Sequence, residues 1–365
     1  MGPPGRRGPG GGSRPSLGRS PCGRGGTRAP KLAPERLKSQ ALAERPMAGI
    51  PGLEKVRDYH VSPSADLATL LEGMGRGGGF MGRNLFEVAS TYGAMCSREG
   101  CVKFLSFPAA VVATGLRGVL IDMVKEGMVD AIITTCGTLD HDIARTLGDY
   151  YVGSFEMDDA RLKKAGYHRL GNVLVPLEDY GPLIEKRMQP LFGRIYRERR
   201  SVTTEELAAE IGRDLASERS LLYWAQRKGV PVFVPGITDG AVGSQAWLFA
   251  ESHRDFQMDL IGDERRLSDI FSDAKETGAL VLGGGISKHH TIWWAQFRGG
   301  LDWACYVSTA QETDGSLSGA RIREAVSWGK VKVKARQASI DAEVTTVLPF
   351  IVSYGLTRRK KPQTP

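Results

Sequence analysis

The sequence predicts an α/β protein built on a mainly parallel, doubly wound sheet flanked by helices. Two observations predict it. Short apolar runs alternate with longer stretches of helical periodicity. Four of those runs close on Gly, Thr or Ser together with an acid or a histidine, as strands do where they deliver a ligand site at their carboxyl ends, the Rossmann-like arrangement.

In chain order the predicted strands are "VKFLSF" (102–107), "DAIITT" (130–135), "VPVFVP" (230–235), "ALVLGG" (279–284), "ACYVST" (304–309) and "ASIDAEV" (338–344). "GLRGVLIDMVKEG" (115–127) reads as a helix with Leu116, Val119, Leu120 and Met123 on one face and a glycine stop. Residues 203–229 read as helical, opening on a threonine followed by acids. Residues 151–200 show no clear period and are expected to form an insertion beside the sheet. "GMGRGGG" has the G-x-G-x-x-G spacing at Gly73, Gly75 and Gly78, but it follows a helical pattern instead of a strand, so it is expected to be a flexible loop.

The 365 residues are 41% hydrophobic and 25% charged, ordinary for a globular enzyme. The net charge of +8 resides entirely in residues 1–46, which hold ten Lys/Arg and two Asp/Glu. The rest is neutral, which argues against a nucleic-acid surface. Residues 1–46 form a Gly/Pro/Arg-rich extension expected to be disordered, and 47–365 a catalytic domain. The extension has no apolar core of a secretory signal and no amphipathic period of a transit peptide; a second start at Met47 is an alternative to Met1. No apolar run suits a membrane span. Five scattered cysteines suggest a reduced, cytoplasmic chain without a zinc site.

"TTCGTLDHD", "PGITDG", "GGGISKHH" and "STAQETDGS" close the second to fifth strands. Gly283, Gly284 and Gly285 follow a strand and precede a helix, so the backbone can approach a ligand there. Adjacent His289 and His290 point to different sides of a helix; one is expected to be structural, the other a candidate base. Asp239, Asp314 and Glu324 are acids that either cap helices or bind ribose hydroxyls and amines. In "SWGKVKVK", alternation of Lys330, Lys332 and Lys334 suits an exposed strand face. Trp328 cuts against this for Lys330, because an amine partly desolvated beside an indole is a better nucleophile or imine former.

"GGGISKHHTIWW", "STAQETDGSLSGARIREAVSWGK" and "PGITDG" closely resemble the deoxyhypusine synthase family, its archaeal form in particular, from about Met47 to the end. The resemblance implies NAD-dependent transfer of the aminobutyl group of spermidine to one lysine of the precursor of translation initiation factor 5A, by a homotetramer in which two chains complete each site. It makes Lys330 the imine-forming lysine and His289 the base. It places Trp328, Glu324, Gly284 and Gly315 at the amine, with Asp140 and His141 nearby. Thr135, Cys136, Gly137, Asp239, Thr309, Ala310, Asp314, Glu343 and the backbone from Ala109 to Ala113 match NAD contacts.

The chain departs from the eukaryotic pattern at the amine site. Ser244 and Leu317 stand where acids bind spermidine there, and His141 replaces a glutamate. Such changes weaken the hold on a trication. They admit two rivals: an agmatine-using or homospermidine synthase-like transferase, and a non-catalytic NAD-binding scaffold. The intact "SWGK" weighs against the second.

Overall fold

The computed structural model describes residues 54–358, so the expected extension at 1–46 lies outside the described residues. Helices α1 (Leu67–Gly77) and α2 (Phe80–Cys96) lead into β1 (Cys101–Ser106), α3 (Leu116–Lys125), β2 (Ala131–Ile133) and α4 (Cys136–Leu147). Then come β3 (Tyr151–Val152), α5 (Asp159–Lys164), β4 (Tyr167–Leu170), β5 (Val173–Pro176) and α6 (Gly181–Glu198). β6 (Ser201–Val202), α7 (Thr204–Leu215), α8 (Leu221–Lys228), β7 (Val232–Phe233), α9 (Ala241–Ser252), β8 (Gln257–Met258) and α10 (Leu260–Asp273) follow. The last elements are β9 (Glu276–Leu282), α11 (Gly285–Ala295), β10 (Leu301–Ser308), α12 (Ile322–Ser327), β11 (Val331–Asp341) and α13 (Val344–Arg358).

The six predicted strands form one six-stranded sheet in the order β11-β10-β9-β1-β2-β7, with every pair parallel. Successive side chains feed opposite faces. Leu105, Leu280, Leu282, Cys305 and Val307 enter a core shared with α2, α3 and α13. Phe104, Ala279, Val281, Ala304 and Tyr306 enter a second core shared with α10, α11 and α12. Burial on both faces explains why these strands read as apolar runs. The chain winds outward from β1 through β2 to β7, then returns beside β1 and winds the other way through β9, β10 and β11. The topological switch point therefore lies between β1 and β9.

Four expectations change. Residues 203–229 are two helices, broken at Ala216 in the left-handed region (φ 44°). The break arises because Asp142 accepts the Ser220 hydroxyl and the Leu221 and Leu222 amides at 2.6, 3.0 and 3.0 Å, a tertiary cap that outcompetes helix propensity. Gly73 and Gly75 belong to α1, not to a flexible loop: a side chain at either would collide with Tyr59 or Phe86, and only Gly78, the left-handed cap, leaves the helix. The last strand begins at Val331, well before residue 338. Consequently Lys332 is not a solvated charge but pairs with Asp302 at 2.5 Å, whereas Lys334 is exposed. The insertion at 151–200 is a separate three-stranded antiparallel sheet, β3-β5-β4, followed by α6. No helix among the described residues is long and apolar enough to cross a membrane.

Candidate active site

Because the sheet strands are all parallel, the segments that follow them gather on one edge. Ala109–Val111 form a tight 3-10 turn after β1. The Ala109 amide donates to Thr135 Oγ1 at 3.0 Å, and the Arg145 guanidinium donates to the Val112 and Thr114 carbonyls at 2.8 and 2.6 Å. The loop is thus held from two sides. A Cβ at Gly137 would stand 2.8 Å from the Ala109 side chain, so this close approach demands glycine. Across the switch point, Gly283 adopts φ 73° against Pro108. Ala113, Asp239, Thr309, Ala310 and Glu343 follow β1, β7, β10, β10 and β11 on the same edge. Glu343 accepts the Thr345 and Thr346 amides at 2.9 and 3.1 Å, capping α13.

Several predicted residues are committed internally. Asp140, 1% exposed, accepts the Val242 and Ala241 amides at 2.8 and 2.9 Å and the Tyr180 hydroxyl at 2.9 Å. It thereby fixes the start of α9. Cys136 is buried against Asp140, and burial pushes its thiol well up, so it stays protonated. His141 bonds the Tyr150 hydroxyl through Nδ1 at 2.9 Å, and burial, assisted by Arg145, pushes its pKa down to about 4. It is neutral at pH 7 and adds no charge where a carboxylate is missing. Ser244 is exposed, its hydroxyl donating to the Gly240 carbonyl at 3.0 Å. Asp239 differs: it is exposed, and its carboxylate makes no hydrogen bond or ion pair among the described residues.

A cavity of about 340 Å³ gathers Lys330, Trp328, Glu324 and His289. Gly329, in the left-handed region at φ 69°, turns the chain from α12 into β11. Lys330 is tied at both ends of its peptide, to the Ala325 carbonyl at 2.9 Å and the Leu301 amide at 3.0 Å. Its side chain is 6% exposed, with Nζ 5.2 Å from the Trp328 ring and 5.7 Å from the Trp293 ring. Nζ makes no hydrogen bond or ion pair among the described residues. His289 stacks obliquely on Trp293, and burial, reinforced by the Lys330 charge, lowers its pKa. His290 faces away, with Nε2 3.2 Å from Glu264.

The loop 311–320 closes one wall. Asp314 caps it by accepting the Ser316 amide at 2.7 Å, Gly315 turns it at φ 75°, and Ser318 lies against Gly284 so closely that no side chain fits there. Leu317 lines the cavity. Asp140, His141, Asp239 and Ser244 do not line it. Lys288, Trp293 and Tyr306 do, and sequence reasoning missed them. Helical spacing could have found two, since Trp293 lies four residues beyond His289, and Lys288 lies four before Ile292 on the cavity-facing side.

The family model for deoxyhypusine synthase matches residues 69–355. The "Probable deoxyhypusine synthase" of Picrophilus torridus is 49% identical over 82% of this chain and 96% of that protein. The protein of the same name from Thermoplasma volcanium is 50% identical over 82% of this chain and 96% of its own length. A crystal structure assigned to the same enzyme from Entamoeba histolytica, 19% identical, covers 85% of this chain and all of that one with a TM-score of 0.58, a likeness of fold. By the extent of these matches, the chain belongs to the deoxyhypusine synthase family.

Proposed function

We propose that the protein is an NAD-dependent transferase that moves the aminobutyl group of spermidine to a lysine of the precursor of translation initiation factor 5A. The observation that carries this reading is the amine of Lys330, buried between two indoles with no counter-ion among the described residues. Ala109, Ala113, Thr135, Gly137, Asp239, Thr309, Ala310, Asp314 and Glu343 would hold the dinucleotide. The glycine-dependent approach of Gly137 to Ala109, on the β2 side of the switch point, suits a backbone cradle for phosphates. Held there, NAD would supply a reversible hydride acceptor for the carbon beside the secondary nitrogen of spermidine.

Lys330 adds to the resulting carbon–nitrogen double bond, and 1,3-diaminopropane leaves as the lysine imine forms. The acceptor lysine displaces Lys330 in a second exchange of the same kind. Trp293 and Trp328 keep water from the imine. Glu324 holds an ammonium end, and His289 takes a proton from the amine. A base must be unprotonated, and a lowered pKa keeps His289 so to more acid pH than its ordinary 6.5. The acid limb of the kcat/KM profile is therefore expected below pH 6.5, and absent in His289→Gln.

Homotetrameric assembly with sites completed by a second chain belongs to the same proposal. Trp328 at the cavity mouth is 64% exposed, and Asp239 and Ser244 lie outside that cavity. A second reading, an agmatine-using or homospermidine synthase-like transferase, is favoured by the charge around the cavity, where among the described residues Glu324 is the only lining carboxylate beside Lys288 and Lys330, Arg321 being paired with Asp341 and Glu312. The test is incubation with NAD and butyl-labelled spermidine, with and without the acceptor factor, followed by borohydride. Label on the factor supports the first reading, and transfer to putrescine alone supports the second. Label on no protein and no small amine leaves only a non-catalytic scaffold.

A further inference from the structure

One buried polar atom beside the Lys330 cavity has no partner. Tyr306, in the interior of β10, is 5% exposed, and its side chain borders the cavity alongside Lys288 and Ala320. Its hydroxyl makes no hydrogen bond among the described residues. A buried hydroxyl left unpaired costs folding free energy, so a fold that retains one needs a reason.

Lys288, which lies against the ring, is committed elsewhere. Lys288 Nζ lies over the face of the Tyr306 ring, 4.7 Å from its centroid, and donates to the Ser318 and Ala320 carbonyls at 3.2 and 2.7 Å. The lysine thus braces the loop wall and leaves the hydroxyl unserved. Tyr306 also borders a second void of about 10 Å³, at the lower limit for a single water. The larger cavity is where a partner of substance fits.

The chemistry of that partner follows from charge. Burial raises the phenol pKa far above its ordinary range, so the oxygen keeps its proton and can donate. Burial also brings Lys288 down to about 8, which leaves it mostly charged at neutral pH. Arg321 is ion-paired with Asp341 and Glu312, which leaves Lys288 and Lys330 facing the one lining carboxylate, Glu324, so an ammonium fits poorly at the tyrosine beside Lys288. An uncharged nitrogen, which offers a lone pair to a donor, fits well.

We propose that Tyr306 is a substrate-contacting, specificity-determining residue whose hydroxyl donates a hydrogen bond to the secondary nitrogen of bound spermidine in its uncharged form. This rests on the aminobutyl-transfer reading above. It explains how a mostly apolar cavity with a single lining carboxylate among the described residues accepts a polyamine: the internal nitrogen binds without its charge, and Tyr306 selects amines that have one.

The test is calorimetric binding, with NAD present, of spermidine and of 1,8-diaminooctane, a similar chain without the internal nitrogen, to the wild type and to Tyr306→Phe. Spermidine is expected to bind about tenfold more weakly to the variant, the loss of one buried hydrogen bond, and 1,8-diaminooctane equally well to both. The ligand-free variant should melt no lower than the wild type, because the hydroxyl it loses has no partner. Equal effects on the two amines, no effect on either, or a variant that melts lower or fails to fold would each overturn the assignment. A wild type that binds neither amine would instead sink the transferase reading, and this inference with it.

Discussion

Lys330→Ala is expected to retain the fold and NAD binding while losing aminobutyl transfer by ~10⁴-fold or more, the scale set by removing a covalent nucleophile. Borohydride trapping of labelled spermidine should mark the wild type and leave the variant unmarked. The reasoning is geometric. The Lys330 peptide is fixed at both ends, so its side chain enters the cavity from a rigid strand start, and its amine meets two aromatic faces with no ion pair among the described residues. Lys330→Arg sharpens the test. It keeps the charge and the contact with the indoles yet cannot form an imine, so it should be as inactive as alanine. Transfer surviving in the arginine variant would show that the residue acts through its charge, and the covalent path would be wrong.

Lys332 and Lys334 show why that lysine was separable from its neighbours in the sequence only with help from the tryptophan. Period-2 alternation placed all three together, but β11 begins at Val331, so Lys330 belongs to the turn that precedes the strand. Its peptide pairs with Leu301 and Ala325, and its side chain goes inward; Lys332 meets Asp302 and Lys334 meets water. The five strands from β7 to β10 across the sheet were legible because burial on both faces leaves a near-continuous apolar run, whereas the edge strand β11, with exposed Val333, Lys334 and Arg336, was legible only in its second half. What escaped was decided by distant partners. Nothing local to 203–229 announces that Asp142 will cap a second helix at Ser220, and nothing local to Gly73 and Gly75 announces that Tyr59 and Phe86 will press against them. Tyr306 escaped for a related reason: in a strand core it reads as packing, and only the absence of a partner for its oxygen sets it apart.

Two aspartates that the sequence placed together at the ligand edge are expected to separate under substitution. Asp140→Ala strips the acceptor from two backbone amides and a tyrosine hydroxyl that are shielded from water. Each unpaired buried donor costs ~1–3 kcal/mol, so a loss of about 3 kcal/mol and a Tm lower by roughly 5–10 °C are expected. Asp140→Asn should recover little, because its amide can present only one acceptor oxygen to three donors. Asp239→Ala removes a carboxylate that is exposed and has no partner among the described residues, so the melting midpoint should stay within ~1 °C of the wild type. NAD affinity, read by fluorescence titration, should nevertheless fall about tenfold or more, since an uncommitted acid at the carboxyl edge of the sheet is free to take ribose hydroxyls. The contrast also assigns cause in Asp140→Ala. There any loss of NAD binding should track the unfolding of the α9 start and return when the temperature is lowered, whereas the loss in Asp239→Ala should persist at every temperature at which the protein is folded.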